Sequence, residues 1–146
     1  MESTERGRLQ HMIFGAVASR EEKWRPPLEG VMRLDVDGSV NQHRQAACGG
    51  LVRDAAGRWR IGFQRRLGVL PPTAAELMAL LTGLQMCKQQ GFSKIEVFTD
   101  SIEVLRLIET EGGASHFLQT ELTEIRELIY SDWDVSINHA PRKVIQ

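Results

Sequence analysis

Apolar and charged positions alternate along residues 31–37, where Met32, Leu34 and Val36 are each followed by a charged residue. An alternation with a period of two is typical of a strand with one buried face. The glycine and serine at positions 38–39 are predicted to end this strand in a turn. The pattern therefore predicts that an ordered domain begins close to residue 31.

The first thirty residues show no comparable period. They mix charges of both signs and end in the run Trp24-Arg25-Pro26-Pro27, whose prolines stop any helix that precedes them. We interpret residues 1–30 as an N-terminal arm or linker and residues 31–146 as a single domain.

Two further strands are predicted over residues 45–53 and 58–65, and a turn that opens with Asp54 and closes with Gly57 joins them. Aspartate hydrogen-bonds to turn amides, and glycine adopts positive φ without strain. The third strand alternates apolar and basic side chains, so one face is predicted to carry its apolar members: Trp59, Ile61 and Phe63.

The second half of the domain mixes helices and strands. A stripe of leucines predicts a long helix over residues 74–90, and Gly91 is placed to end it. Periodicity and breaker residues predict four later elements: a strand over 93–99, a helix over 101–109, a helix over 115–130 and a strand over 133–139. The order βββαβααβ predicts an α/β fold with a five-stranded mixed sheet.

Three carboxylates, those of Asp37, Glu76 and Asp100, are predicted to meet at one edge of this sheet, and His139 arrives at the same edge. A right-handed crossover makes the fourth strand parallel to the first, and ligand sites of open α/β sheets lie beyond the carboxyl ends of strands. Carboxylates this close repel one another unless cations lie between them. Oxygen ligands select Mg²⁺ or Mn²⁺, and a pair of such ions serves phosphodiester hydrolysis. We therefore predict a site for two Mg²⁺ ions, with Mn²⁺ as a possible substitute.

Each of these acids also has an ordinary structural interpretation. Thr73 and Glu76 fit a capping box at the start of the long helix. Asp100 could cap the next helix with Glu103 three residues later, and Asp37 could simply open a turn. Only the convergence of all three acids on one edge favours the metal site.

Composition narrows the possible functions. The 146 residues include 18 Lys and Arg against 19 Asp and Glu, and a net charge of -1 argues against a protein that coats nucleic acid by bulk attraction. The 2 cysteines and 4 histidines show no spacing that would close a zinc site. Because no apolar stretch is long enough to span a bilayer, we expect an intracellular, soluble protein without a membrane partner.

Several motifs together resemble the type 1 ribonuclease H family, and more closely the reverse-transcriptase-like RNase H domains of plant retroelements and related host proteins. The motifs occur in that family's order and cover residues 24–142. The main motifs are Leu34-Asp35-Val36-Asp37-Gly38-Ser39, Ala75-Glu76-Leu77-Met78-Ala79-Leu80 and Phe98-Thr99-Asp100-Ser101. Supporting motifs are Trp24-Arg25-Pro26-Pro27, Cys48-Gly49-Gly50-Leu51-Val52-Arg53-Asp54, Gly57-Arg58-Trp59 and the tail His139-Ala140-Pro141-Arg142.

This resemblance implies an endonuclease that hydrolyses the RNA strand of RNA/DNA hybrids. It implies that Asp37, Glu76 and Asp100 are catalytic metal ligands, and that His139 assists water activation or product release. The alternative for His139 is a half-buried strand end, since it keeps the phase of the apolar residues before it.

The resemblance also implies how substrate is held. Backbone groups near Gly38, Ser39 and Glu76 would contact the 2′-hydroxyls of the RNA strand, and Ser101 would also bind substrate. Arginines of the third strand are candidates for contacts to the phosphates of the partner strand: Arg58 and Arg60, or Arg65 and Arg66.

One feature of the family is expected to be missing. The family carries a fourth metal-binding aspartate on a final helix, C-terminal to the position of His139, and this sequence ends at Gln146 before reaching it. We therefore expect a domain truncated at its C-terminus. Two alternatives stay open: a catalytically impaired nucleic-acid-binding or interaction module, and a nuclease of the same fold that acts on DNA ends.

Overall fold

The computed structural model describes residues 30–110 and 116–141. Apart from Gly30, the predicted arm over 1–30 lies outside these residues. The described elements follow the predicted order: β1 (Met32–Val40), β2 (Gln45–Arg53), β3 (Trp59–Val69), α1 (Pro72–Gln89), β4 (Lys94–Thr99), α2 (Ile102–Glu109), a short 3₁₀ helix (His116–Leu118), α3 (Gln119–Ile129) and β5 (Asp134–His139).

The five strands form one mixed sheet with the order β3-β2-β1-β4-β5. Strands β1, β2 and β3 pair antiparallel, whereas β4 is parallel to β1 and β5 is parallel to β4. The parallel ladder between β1 and β4 runs from the pair Met32 and Ile95 to the pair Asp35 and Phe98, where it ends. The predicted α/β fold with a five-stranded mixed sheet is confirmed.

Helices α1 and α3 cover one face of the sheet and enclose the core. Leu77, Leu80 and Leu84 of α1 are fully buried, as the leucine stripe predicted. The helix comes so close to β1 that a Cβ atom added at Gly83 would lie 2.9 Å from the side chain of Leu34. In the described part of the chain, no helix combines the length and apolar character needed to cross a membrane.

Strand β1 is longer than the sequence pattern predicted. Gly38 and Ser39 do not end the strand in a turn but pair with Cys48 and Ala47 of β2. Gly38 is required here for a different reason, because a Cβ atom on it would lie 2.5 Å from the backbone carbon of Ala75. The glycine therefore permits the start of α1 to pack directly on β1.

The turn between β2 and β3 forms as predicted. The carboxylate of Asp54 accepts hydrogen bonds from the amides of Ala56 and Arg58, and Gly57 has a φ of 80°. The prediction that Trp59 shares a face of β3 with Ile61 and Phe63 is wrong, because the pairing of β2 with β3 shifts register between Val52 and Arg53. This irregularity separates Trp59, which packs on Leu51, from the later apolar residues of β3 that pack against the main core: Ile61, Phe63 and Leu67.

Candidate active site

Three carboxylates from three separate elements meet at one edge of the sheet, which we call the rim. Asp37 lies in β1, Glu76 lies near the start of α1, and Asp100 directly follows β4. Each offers an oxygen atom, and these oxygens all lie within 4.8 Å of one another. Among the described residues, this is the only group of three or more acidic, histidine or cysteine side chains so arranged. The structure therefore brings together the three residues that the sequence predicted to converge.

Glu76 is oriented by β1 and not by its own helix. Its Oε1 accepts a hydrogen bond of 2.5 Å from the amide of Gly38. The capping-box alternative is wrong, because the N-cap of α1 is Pro71 and no side chain caps the helix. The close approach that Gly38 permits thus also supplies the donor that holds the carboxylate.

Asp100 is likewise not used as a helix cap. The N-cap of α2 is Ser101, whose hydroxyl accepts a hydrogen bond of 3.2 Å from the amide of Val104. This cap leaves the carboxylate of Asp100 to join Asp37 and Glu76 at the rim. Ser101 was also predicted to contact substrate, and that role stays a prediction.

The rim is electrostatically strained in the absence of a cation. Burial raises the pKa of Glu76 to about 9, reinforced by its hydrogen bond to Asp100 and by the negative charges of Asp100 and Asp37. Asp37 is only 4% exposed, so water screens these charges weakly. Three oxygen ligands of one sign, partly withdrawn from solvent, are the donor set that hard divalent cations prefer. The residues present therefore fit a divalent metal site.

Asp35 lies on the same face of β1 as Asp37 but outside the rim group. Its carboxylate accepts three hydrogen bonds from the guanidinium group of Arg33, and the two shortest, from Nε to Oδ2 and from Nη2 to Oδ1, are each 3.1 Å long. The Asp35 charge is thereby compensated within the protein by Arg33.

His139 ends β5 and pairs with Thr99, the residue that precedes Asp100. Its side chain is half-buried and does not belong to the cluster of Asp37, Glu76 and Asp100, whose oxygens lie within 4.8 Å of one another. The structure thus places His139 at the same end of the sheet as the rim, and its catalytic role stays a prediction.

The predicted substrate-binding residues of β1 differ in accessibility. Gly38 is half-buried, and its amide is engaged by Glu76. Ser39 is exposed one residue further along the strand. Both lie beside the rim, as the resemblance implied.

The structure separates the two pairs of arginines proposed to contact phosphate. Arg58 and Arg60 lie at the start of β3, at the opposite end of the sheet from the rim, and Arg60 is 3.8 Å from the carboxylate of Asp54. Arg65 and Arg66 lie further along β3, towards the rim. The second pair is therefore the better placed for a ligand bound at the carboxylates.

A cavity of about 260 Å³ adjoins Arg65 and Arg66 and was not foreseen from the sequence. Ala74 of α1 forms part of its wall, two residues before Glu76. Phe117 and Glu121, from the 3₁₀ helix and α3, also line the cavity. No sequence signal indicated that the end of β3 would meet the segment of the 3₁₀ helix and α3, because neither of these two segments carries a recognisable motif.

The comparison with known families decides the identity of the domain. The model of the reverse transcriptase-like family matches residues 35–146, which include all three rim carboxylates. The chain belongs to the reverse transcriptase-like family. Its domain is ribonuclease H-like, and the resemblance predicted from the motifs is confirmed.

Individual relatives agree with this assignment. A curated protein of Arabidopsis thaliana that is named after ribonuclease H is 27% identical over 137 residues, or 91% of this chain and 22% of the relative. The chain thus spans about a fifth of the length of that relative.

Solved structures confirm the fold. RNase H1 from the halophilic archaeon Halobacterium salinarum is 25% identical, with a TM-score of 0.69 over 77% of this chain and 86% of that one. LC11-RNase H1, solved in complex with an RNA/DNA hybrid, is 19% identical, with a TM-score of 0.68 over 76% of this chain and 86% of that one.

Proposed function

We propose that this reverse transcriptase-like domain is a divalent-metal-dependent endonuclease that hydrolyses the RNA strand of RNA/DNA hybrids. The observation that carries the proposal is the convergence of three carboxylates, from β1, α1 and β4, with oxygen atoms within 4.8 Å of one another. The ribonuclease H names of relatives and the hybrid bound by LC11-RNase H1 support the substrate class.

Asp37, Glu76 and Asp100 would hold the metal, with Mg²⁺ as the expected ion and Mn²⁺ as a possible substitute. When bound, divalent ions supply Lewis-acid stabilisation of phosphoryl charge and lower the pKa of a water nucleophile. Because the pKa of Glu76 is raised to about 9, its carboxyl group would have to lose its proton in order to hold a metal ion.

The remaining residues would bind and orient the substrate. Ser39, which is exposed, and the backbone of Gly38 would contact the RNA strand and its 2′-hydroxyls. Arg65 and Arg66 would hold phosphates, which adds affinity but carries no sequence information. His139, at the end of β5, would move a proton during water activation or product release.

The test is cleavage of a fluorescent RNA/DNA hybrid by the full chain at low salt, with Mg²⁺ or Mn²⁺. We expect RNA products with 3′-hydroxyl and 5′-phosphate ends, and no cleavage of DNA or RNA duplexes of the same sequence. Asp100→Asn should abolish cleavage, whereas the matched control Asp134→Asn, at an exposed position on β5, should not.

Two other results would replace this function. Hybrid binding without cleavage in either metal would favour a catalytically impaired nucleic-acid-binding module. Cleavage of DNA without any RNA present would favour a nuclease of the same fold that acts on DNA ends.

A further inference from the structure

A second cluster of charged groups lies on the face of the sheet opposite α1. Arg33 and Asp35 of β1 are only 6% and 4% exposed, and they form a bidentate ion pair. The guanidinium carbon of Arg33 also lies 3.9 Å from the centre of the Phe98 ring. Because Phe98 belongs to β4, this cation-π contact joins two strands that carry or directly precede rim carboxylates.

The cluster lies at the point where the pairing of those two strands stops. Asp35 and Phe98 are the last partners in the ladder between β1 and β4. Asp37 and Asp100 each follow two residues later. Side chains two residues apart point to the same face of a strand, so Asp37 continues the face that bears the cluster. Asp100 directly follows the end of β4. No ladder pair between β1 and β4 lies beyond Asp35 and Phe98 to fix their spacing.

Repulsion between the carboxylates acts to separate the two strands at this open end. The contact between Arg33 and Phe98 opposes that separation immediately before the rim. Asp35 fixes the orientation of the guanidinium group through its hydrogen bonds, so the guanidinium carbon stays over the Phe98 ring.

We propose that Arg33, Asp35 and Phe98 form a clamp that sets the spacing of Asp37 and Asp100 and so tunes the affinity of the metal site. This inference rests on the proposed function, since it assumes that the rim holds a divalent ion. The three side chains act as positioning residues, because none of them belongs to the rim group.

The test is a calorimetric titration of the full chain with Mn²⁺ in the absence of nucleic acid. Phe98→Leu removes the ring face without changing charge, and we expect about tenfold weaker Mn²⁺ binding, the lower range seen for residues that support metal ligands. Phe98→Tyr keeps the ring and should retain the affinity of the unmodified protein. Phe98 is half-buried, so both variants should fold.

Arg33→Gln separates positioning from simple electrostatics. Removing a positive charge near the rim would by itself strengthen the binding of a cation, whereas loss of the clamp should weaken it. The double variant Arg33→Gln with Asp35→Asn leaves the net charge unchanged and should also bind Mn²⁺ about tenfold more weakly.

The control is Lys88→Gln, which removes another cation-π contact, to Trp133, at the far end of the sheet. It should leave Mn²⁺ binding unchanged. The clamp is refuted if folded Phe98→Leu binds Mn²⁺ within twofold of the unmodified protein, or if Arg33→Gln binds it more tightly. If Asp37→Asn binds Mn²⁺ as well as the unmodified protein, the metal site and the proposed function fail together with the clamp.

Discussion

The two ends of the sheet treat charge in opposite ways. At the end away from the rim, which we call the base, acids lie beside cations: Asp54 beside Arg60, and Asp132 beside Lys88. The hydrogen bond from Lys88 lowers the pKa of Asp132. At the rim, burial and like charges raise the pKa of Glu76 to about 9.

This difference is the one expected between residues that support a fold and residues of a functional site. Exposed ion pairs such as those at the base contribute little to stability, and their removal is tolerated. Buried carboxylates gathered without a cation oppose folding, and such arrangements concentrate at functional sites. The contrast predicts that substitutions at the rim change activity strongly, while equivalent substitutions at the base do not.

The largest expected effect is on cleavage. Asp37→Asn keeps the shape of the side chain but removes a charged metal ligand, so transition-state stabilisation of about 4 kcal/mol, or about a thousandfold in rate, should be lost. Asp132→Asn at the base should retain cleavage. Initial cleavage rates on the hybrid substrate measure both variants. Comparable rates for Asp37→Asn and Asp132→Asn would show that the rim and the base do not differ in their importance for cleavage.

A steric change at the rim should have the next largest effect. In Gly38→Ala, the new methyl group would meet the backbone of Ala75, which cannot move without displacing α1. We expect a loss of about 3 kcal/mol in the free energy of unfolding, as for overpacked sites. Ser39→Ala at the exposed neighbouring position is the control. Chemical denaturation compares the two, and equal stabilities would mean that α1 does not pack against β1 so closely.

The raised pKa of Glu76 predicts a pH-dependent stability of the metal-free protein. Between the unfolded value of 4.5 and the folded value of about 9, the native state keeps a proton that the unfolded chain has lost. Stability should therefore fall as pH rises through this window. Glu76→Gln mimics the protonated form and should gain on the order of 2 kcal/mol at pH 8, or about 6 °C in Tm.

Thermal melts in EDTA across that pH range measure this effect. The stabilisation of Glu76→Gln over the unmodified protein should disappear at pH 4, where both side chains are neutral. A pH-independent difference would show that the substitution acts through packing and not through the proton.

The smallest effect is expected at the base. Lys88→Met removes the ion pair with Asp132 and the contact with the Trp133 ring, 5.0 Å from the Lys88 amine. Because the pair is exposed, Tm should fall by a few degrees at most, and cleavage should be unchanged. A loss of cleavage comparable to that of Asp37→Asn would show that the two ends of the sheet are coupled.

The order of elements and the convergence of the carboxylates could both be predicted from the sequence. Strand alternation and one right-handed crossover suffice to bring Asp37 and Asp100 to the same edge. The position of Glu76 followed from the start of the leucine stripe. These features depend on local periodicity, which a single sequence displays directly.

Other features depend on contacts between distant segments, and the sequence misled there. Gly38 has the signature of a turn, yet it lies in a strand, where it pairs with Cys48 and leaves room for α1. Thr73 and Glu76 match a capping box, yet the glutamate bonds to another element. In the sequence, Trp59 follows the apolar and polar alternation of β3, but an irregular pairing with β2 separates it from the main core. In each case tertiary packing overrides a local signal.

Anomalous scattering from crystals grown with Mn²⁺ would reveal a divalent cation bound at the rim. We expect an anomalous peak bounded by the carboxylates of Asp37, Glu76 and Asp100, which should vanish in crystals of Asp37→Asn. A folded protein at saturating Mn²⁺ with no peak at the rim, or with the three carboxylates turned away from one another, would contradict this expectation.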